Sequence, residues 1–393
     1  MSTPQAQPNK RHVAPPLLAL VLAATPLLQG ASWMISGNEN KLDLTSGAAT
    51  VIENAGPDSI TLLDFAKFPP AVSHLPNIPN TVIGPPSNIA IHPSGQLALI
   101  ANSVEVDPQD PTKTAPTTQI HILDLSLPQP AVIGEVRSGK QPSGISFTHD
   151  GNLALVANRA DGTISVLEVS GKQVRVKSTV QVCAPELSIS DVAIHPNGKL
   201  ALASIQKGGY LQTLSIESGI VRTNNQQISV YGNPYRCVIT PDGQFGLTAG
   251  QGAGNGLDAD ALSVVSLQGS IPQTVDYIPL GAVPESIEVS PDGRLVAAVL
   301  MNGSNLPVDH PNYHASGLVA LVERQANSFH RVQLAPVGRI PEGVAFSPDG
   351  RHLVVQCHPD RKLWVFNVQN NRLEDAGVRI DVPGMPSSLR AAY

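Results

Sequence analysis

The chain has 393 residues, of which 41% are hydrophobic and 14% charged, so its composition is that of a folded globular protein rather than a disordered chain. A net charge of −6, an aromatic content of only 4% and the lack of a dense basic stripe argue against nucleic acid as a partner and against a base-stacking surface. The 33 glycines and 35 prolines fall mostly between strand-like runs, as an all-β fold with many turns requires.

The N-terminus has the pattern of a secretion signal. Lys10 and Arg11 precede an uncharged apolar run over residues 13–28, and the small residues 30–32 follow it. The run is shorter than the roughly 20 residues that span a bilayer. We therefore predict a secretion signal over residues 1–32, a mature chain that begins near Trp33, and a periplasmic or secreted protein. An uncleaved membrane anchor is the alternative, and no other membrane contact is expected.

Two strand-like stretches, 49–53 and 59–65, come next. We interpret residues 34–66 as the outer part of a first repeat, in which 49–53 is the second strand and 59–65 the third. No first strand precedes them in this interpretation.

A unit made of a strand, a tight turn and a second strand then recurs along the chain. Its last complete copy, PEGVAFSPDGRHLVVQ, begins at Pro341, and each copy turns at a glycine in hairpin chemistry that carries structure rather than function. The turn glycines are Gly95, Gly151, Gly198, Gly243, Gly293 and Gly350. Third strands are predicted at 119–125, 163–169, 210–216, 262–267, 318–322 and 362–368. Short strands with a period near 50 residues indicate the blades of a β-propeller.

The chain stops in the middle of a repeat. The broken copy PSSLRAAY, from Pro386, would supply the first strand that the first repeat lacks. Six complete units plus this composite predict one all-β domain over residues 33–393, a seven-bladed β-propeller of four-stranded blades. The C-terminal strand closes the ring by pairing with the N-terminal blade, so no sheet edge is left unpaired there. We expect a monomer.

Long insertions concentrate on one face of this propeller, at 103–118, 250–261 and 301–316, and binding sites cluster on such loops. His310 and His314 have helical metal-ligand spacing, but Pro307 and Pro311 make a helix unlikely in that loop, and Asp258 and Asp260 lack the ligand spacing of a calcium site. No metal and no cofactor is expected.

Charged residues at the starts of the inner strands should meet at the mouth of the axial channel on this face. Glu285 and Glu342 occupy equivalent positions in adjacent blades, so their carboxylates could act as acid and base or hold a cation. The alternative is that both are solvated or bonded to neighbouring backbone amides. Arg236, one blade earlier, would hold an anion or form an ion pair with Glu285. Asp191 belongs to the same set, and His358, at the end of a second strand, faces the mouth as an acid–base candidate.

Cys183, Cys237 and Cys357 are odd in number and widely spaced, which favours buried thiols; one bridge with one free thiol is the alternative.

The repeat pattern resembles YVTN-type repeat proteins and lactonase-like seven-bladed propellers over about residues 36–393. Those lactonases carry a GPRH-type element at the start of a blade, which Pro234–Tyr235–Arg236 matches in its arginine while Cys237 stands where the histidine would be. Residues 158–164, NRADGTI, are close to a second family element of the SNRG-DSI type. The family's acidic residue after the GPRH blade's second strand is absent from residues 248–252.

Two functions remain open. The first is an exported, non-catalytic propeller that binds a small molecule or a protein partner at the axial mouth. Its expected ligand-binding residues are Asn158, Arg159, Asp191, Arg236, Glu285, Glu342, His310 and His314. The second, implied by the resemblance, is a lactonase or lactonising enzyme that acts on a carboxylated small molecule through Arg236, Glu285, Glu342 and His358. A dehydrogenase subunit with a cofactor-bearing partner chain ranks third.

Overall fold

In the computed structural model, the described residues are 1–4, 32–252 and 260–392, and they form seven four-stranded antiparallel sheets. Nearly all of the predicted secretion signal and the tip of the glycine-rich insert, with Asp258, lie outside these residues. No helix in the described ranges is long and apolar enough to cross a membrane.

Each sheet is one blade, and its strands follow one another from the axis outwards. The closing blade combines β1 (Trp33–Glu39), β4 (Ser59–Asp64) and β5 (Ala71–Pro76) with the last strand, β30, and a small hairpin of β2 (Leu42–Asp43) and β3 (Thr50–Val51) interrupts it. Blade 1 contains β6 (Ile89–Ile91), β7 (Leu97–Val106), β8 (Thr114–Asp124) and β9 (Ala131–Arg137). Blade 2 contains β10 (Pro142–Phe147), β11 (Leu153–Asn158), β12 (Thr163–Ser170) and β13 (Gln173–Gln181). Blade 3 contains β14 (Ile189–Ile194), β15 (Leu200–Ile205), β16 (Tyr210–Glu217) and β17 (Ile220–Ser229).

The second half of the ring repeats this order. Blade 4 contains β18 (Asn233–Ile239), β19 (Phe245–Gln251), β20 (Asp260–Ser266) and β21 (Gln273–Gly281). Blade 5 contains β22 (Pro284–Val289), β23 (Leu295–Leu300), β24 (Gly317–Gln325) and β25 (Ser328–Val337). Blade 6 contains β26 (Pro341–Phe346), β27 (His352–Cys357), β28 (Lys362–Gln369) and β29 (Arg372–Asp381), and β30 spans Met385–Ala391. A 3-10 turn, Pro185–Leu187, precedes β14.

The predicted closure of the ring is confirmed. β30 pairs antiparallel with β1, with Met34 opposite Ala391 and Ser36 opposite Leu389. Inner strands of neighbouring blades contact each other around the whole circle, including β30 against both β26 and β6. Seven hydrophobic clusters fill the seven spaces between neighbouring blades. The core is therefore a ring of blade-to-blade contacts rather than one central mass.

The prediction that residues 49–53 form the second strand of the closing blade was wrong. That position belongs to β1, whose Met34 and Ile35 are fully buried, one on each face of the sheet. Thr50–Val51 instead pair with Leu42–Asp43 in the small hairpin, and Ala48 to Thr50 are exposed. A strand between two others in a sheet that is packed on both sides is itself buried on both faces, which excludes the exposed segment.

The insert at 103–118 is not a loop either. It continues β7 and β8 as a long hairpin, with Val104 opposite Pro116 and Val106 opposite Thr114.

The three cysteines are buried and unbridged.

The recurring turn is fixed by its own side chains. In the last copy, Ser347 Oγ donates to Asp349 Oδ1 at 2.6 Å and accepts from the His352 amide at 3.0 Å, while Gly350 takes a φ of +71°. Only glycine adopts that conformation without strain, which explains its recurrence.

A bulge at the start of the inner strand sets the depth of side chains in the channel. In blades 2 to 6 the register with the second strand shifts after the first or second residue of the inner strand. In blade 4, Pro234 lies opposite Gly250 but Cys237 opposite Thr248, so Tyr235 and Arg236 face a single residue of β19. A bulge of this kind re-aims side chains, and here it gives neighbouring residues different places along the axis.

Candidate functional site

A cavity of about 180 Å³ lies at the end of the axis on the face where the second strands end. Its polar wall comes from the inner strands of four consecutive blades and the ends of two second strands. These residues are Glu39, Tyr235, Glu285, Glu342, His358 and Ser387. The hairpin β2–β3 and its turn also line the cavity, with Leu42, Leu44, Ala48 and Ala49, and Val82 and Met301 add further apolar surface. The lining of the cavity is therefore partly acidic and partly apolar.

Glu39 and His358 form a buried pair in this wall. The two side chains are each 1% exposed, and His358 Nε2 lies 3.0 Å from Glu39 Oε1. Glu39 Oε2 accepts from the amides of Lys41 at 2.6 Å and Leu42 at 2.9 Å, which fixes the carboxylate and anchors the start of the hairpin. In a neutral ring this bond places the proton on Nε2, so Nδ1 keeps a free lone pair. Nδ1 has no hydrogen-bond partner in the described structure.

Glu285 and Glu342 lie in the same cavity, as the repeat alignment predicted for adjacent blades. Burial raises the pKa of Glu285 to about 8, against the lowering effects of a 3.1 Å hydrogen bond from Gln251 and of the nearby Arg159 charge. Burial and the neighbouring charges of Glu285 and Glu39 raise the pKa of Glu342 well above its usual value. Burial therefore favours the protonated form of both carboxyl groups.

Two further expected residues lie beside the cavity rather than in it. The Arg159 guanidinium donates to Ser190 Oγ at 2.8 Å and to Gln206. These hydrogen bonds hold the side chain beside the cavity. Asn158 is fully buried, and its Nδ2 donates to Thr163 and Ser165, both at 2.9 Å. Asn158 thus braces the end of β11 and does not reach the cavity.

The predicted ion pair between Arg236 and Glu285 was wrong. Arg236 is 1% exposed, and its guanidinium bonds Glu288 at 2.5 Å and Ser286 Oγ at 3.0 Å. Because of the bulge in β18, Tyr235 lies at the mouth and Arg236 lies deeper in the channel. The Tyr235 hydroxyl bonds Glu285. Arg236 is therefore a structural cation of the channel.

Asp191 was also expected at this mouth, but it lines a separate cavity of about 410 Å³ at the opposite end of the axis, together with Glu288 and Arg390. Its carboxylate accepts from Ser87 Oγ and from the Cys237 amide, both at 3.1 Å. It follows Ser190 in the bulge of β14, which places it further along the channel.

His310 and His314 are not brought into the cavity. His310 Nδ1 accepts from the Asn312 amide at 3.1 Å, and His314 Nδ1 bonds the Asn302 carbonyl at 2.9 Å, so both rings stabilise their own loop. Met301 and Asn305 are the residues of this insert that line the cavity.

No three His, Cys, Asp or Glu residues of the described ranges are grouped to hold a metal ion. Asp260, once a calcium candidate, accepts from the amides of Gly252 and Val283 and so fixes the loop ends.

Sequence reasoning did not select Glu39, Tyr235 or Ser387 as site residues. Glu39 was missed because its strand was not recognised as the second strand of the closing blade. Its signal was available once PSSLRAAY required a partner strand. Asn38 lies opposite Pro386 as Cys357 lies opposite Pro341, so residue 39 occupies the position that His358 holds in blade 6. Tyr235 and Ser387 occupy, in their own repeats, the position that Glu285 and Glu342 occupy in theirs. They were not selected because their side chains are uncharged.

No protein-family model and no curated protein matches the chain. Solved structures do match. A candidate 6-phosphogluconolactonase from Bacteroides fragilis has a TM-score of 0.67 at 15% identity, covering 91% of this chain and 97% of its own. The periplasmic gluconolactonase of Pseudomonas aeruginosa has a TM-score of 0.66 at 17% identity, covering 91% and 98%. Hydrazine synthase of Kuenenia stuttgartiensis has a TM-score of 0.56 at 18% identity, covering 74% and 78%.

The seven sheets and their closure define the class as the seven-bladed β-propeller. Within that class, the fold is similar to those of the candidate 6-phosphogluconolactonase and the periplasmic gluconolactonase. Since the hydrazine synthase also matches, the fold alone does not fix the chemistry, and function has to be argued from the cavity.

Proposed function

We propose that this chain is an exported propeller protein that binds a small molecule in the axial-mouth cavity. The observation that carries the proposal is that three residues lining this cavity each have a buried polar atom without a hydrogen-bond partner among the described residues. These atoms are Glu342 Oε1, His358 Nδ1 and Ser387 Oγ. Buried polar atoms are nearly always hydrogen-bonded in native proteins, so three residues with such atoms around one cavity support a ligand with complementary groups.

The size of the cavity limits that ligand. Its volume of about 180 Å³ is close to the roughly 150 Å³ of a cavity that holds benzene, and it is well below the 300–1,000 Å³ of drug-sized sites. A short-chain or single-ring metabolite fits these dimensions. A protein partner would reach the rim but not the unpaired atoms, which is why the small molecule is preferred. Export is supported by the basic and then apolar N-terminal pattern.

A ligand screen on the purified protein tests this proposal. Calorimetry with small polyols, lactones, alkylamines and carboxylates should give a binder, and a soaked crystal should place it against Glu342 and His358. Ser387→Leu should weaken that binder at least about tenfold, because the larger side chain fills the cavity. Glu342→Gln should also change the affinity, whereas Glu53→Gln, an exposed carboxylate next to the hairpin, should not. A ligand whose affinity is the same in Ser387→Leu and Glu342→Gln would place the site elsewhere, for example on the long inserts.

Lactone hydrolysis is the second candidate, and the Glu39–His358 pair favours it. His358 Nδ1 is placed to take a proton from a water that attacks the lactone carbonyl, while Glu39 holds the ring. Protonated Glu285 or Glu342 would donate a hydrogen bond to the carbonyl oxygen and a proton to the leaving ring oxygen. Arg236 has no part in this scheme, because its guanidinium is bound to Glu288.

Hydrolysis of glucono-δ-lactone, followed in a pH-stat, tests the second candidate. His358→Gln should lower kcat about 10²- to 10⁴-fold, the range for losing a general base. Activity should fall as the pH rises through about 8, because Glu285 loses the proton that it must donate. A wild-type rate no higher than the spontaneous rate in the same buffer would eliminate this candidate.

A further inference from the structure

The charges around the axial-mouth cavity are not balanced. Glu39, Glu285 and Glu342 line it, and none of the described residues that line it is Lys or Arg. The guanidinium that acts on Glu285 belongs to Arg159, which is bound to Ser190 and Gln206. An anionic ligand would meet three acidic side chains and no free cation.

The other nearby cations are also engaged. Lys41 bonds Asp58 at 2.6 Å and Glu105 at 3.2 Å, outside the cavity. Arg339 donates to the Ser304 carbonyl and lies 5.6 Å from the ring centre of Tyr313. Neither side chain lines the cavity, so the acidic wall keeps its character.

The apolar part of the lining belongs largely to the hairpin. Leu42 is 3% exposed, and Leu44, Ala48 and Ala49 continue the same wall. A ligand that fills this space therefore needs a group that binds carboxylates at one end and a short apolar body at the other.

We infer that the cavity takes a small organic cation, an alkylammonium whose charged group lies between Glu285 and Glu342 and whose apolar body packs against the hairpin β2–β3. This inference rests on the proposed binding function and names its ligand class. The ammonium group has three donors, and Glu342 Oε1 is an acceptor with no partner among the described residues. The Tyr235 ring lines the same wall and can add a cation–π contact.

Protons and the ammonium ion compete for the same carboxylates. Glu285 faces Tyr235, Gln251 and Arg159, while Glu342 faces Glu285 and Glu39, with His358 in the same wall. A cation favours the ionised forms, so its binding expels protons into solution. Affinity should therefore rise as the pH rises through about 8 and fall again when the amine itself deprotonates, at about pH 10. This pH dependence is opposite to that of lactone hydrolysis, whose rate should fall as the pH rises through about 8.

Calorimetry with n-alkylammonium ions from ethyl to hexyl tests the inference. The alcohol and the carboxylate of each chain length serve as matched neutral and anionic probes. The ammonium should bind at least about tenfold more tightly than the alcohol, since it makes charge-assisted hydrogen bonds, and the carboxylate should not bind. Titrations at pH 7 in two buffers of different ionisation enthalpy should show proton release. The double variant Glu285→Gln/Glu342→Gln should lose the preference for the ammonium, and Glu53→Gln should keep it; melting curves check that each variant is folded.

Three results would contradict the inference of a cationic ligand. They are an alcohol that binds as tightly as the ammonium of the same chain length, a carboxylate that binds more tightly than that ammonium, and a preference for the ammonium that survives in the double variant. If no alkylammonium binds but a polyol or lactone does, in a manner that depends on Ser387, then the cavity is a binding site and only the ligand class is wrong. If nothing in either screen binds, both the cation and the proposed function fail.

Discussion

Deletion of residues 385–393 should lower the melting temperature far more than any single core substitution in the same blade. β30 is the inner strand of the closing blade, hydrogen-bonded to β1 and packed between β26 and β6. Its removal exposes the edge of β1 and takes away Leu389, which is fully buried among residues of blade 6 and the closing blade. One buried Leu→Ala change costs about 2–5 kcal/mol, and a whole domain is stable by about 5–15 kcal/mol. The loss of a complete strand should therefore remove most of the free energy of unfolding.

Two variants calibrate this experiment in thermal scans. Leu389→Ala should give an intermediate decrease, because it keeps the strand and removes only one side chain. Val72→Ala, on the outer strand of the same blade and 40% exposed, should change little. A synthetic peptide of residues 385–393, added to the truncated chain, should restore part of the loss. A truncated chain that melts like the parent would show that β30 does not close the ring.

The propeller could be predicted because its information is local and repeated. The turn needs a glycine at positive φ, and Ser347 and Asp349 show that each copy fixes its own turn by bonds within a few residues. The first strand of the fold could not be found in this way. Ser36 and Asn38 make β1 look polar, yet both are buried. Asn38 donates to Thr61 at 2.9 Å, and Ser36 accepts from Gln356 at 2.8 Å, 320 residues away. Partners so distant in sequence leave no local pattern.

The site was predictable only in outline. The repeat alignment brought Glu285, Glu342 and His358 to one end of the axis, because equivalent residues of a propeller are related by its rotation. It could not rank side chains by depth, because that depends on the bulge at the start of each inner strand. Asp191 and Arg236 are each the second residue of a bulged pair, and both lie deeper than the mouth.

Arg236→Ala should destabilise the protein by about 3–5 kcal/mol without weakening a ligand at the axial mouth. The guanidinium and the carboxylate of Glu288 form a buried pair, with side chains 1% and 7% exposed, and removal of one partner leaves the other as an uncompensated buried charge. Arg390 lies 3.3 Å from the same carboxylate and offsets part of the loss, so the lower end of the range is expected. Urea unfolding measures the free energy, and calorimetry with a binder from the screen measures the affinity.

The double variant Arg236→Met/Glu288→Met separates a buried pair from a binding residue. Replacing both charges with apolar side chains of similar volume is often neutral or even stabilising, so the double variant should recover most of the free energy lost by Arg236→Ala. Arg390, which loses its carboxylate in this variant, is 22% exposed and can be solvated by water. If Arg236→Ala costs under about 1 kcal/mol, or if it weakens the ligand while Glu53→Gln does not, then Arg236 serves the mouth and the structural assignment is wrong. Recovery of stability with unchanged affinity would instead place the function of this end of the propeller on Glu285, Glu342 and His358, with Arg236 as part of the scaffold beneath them.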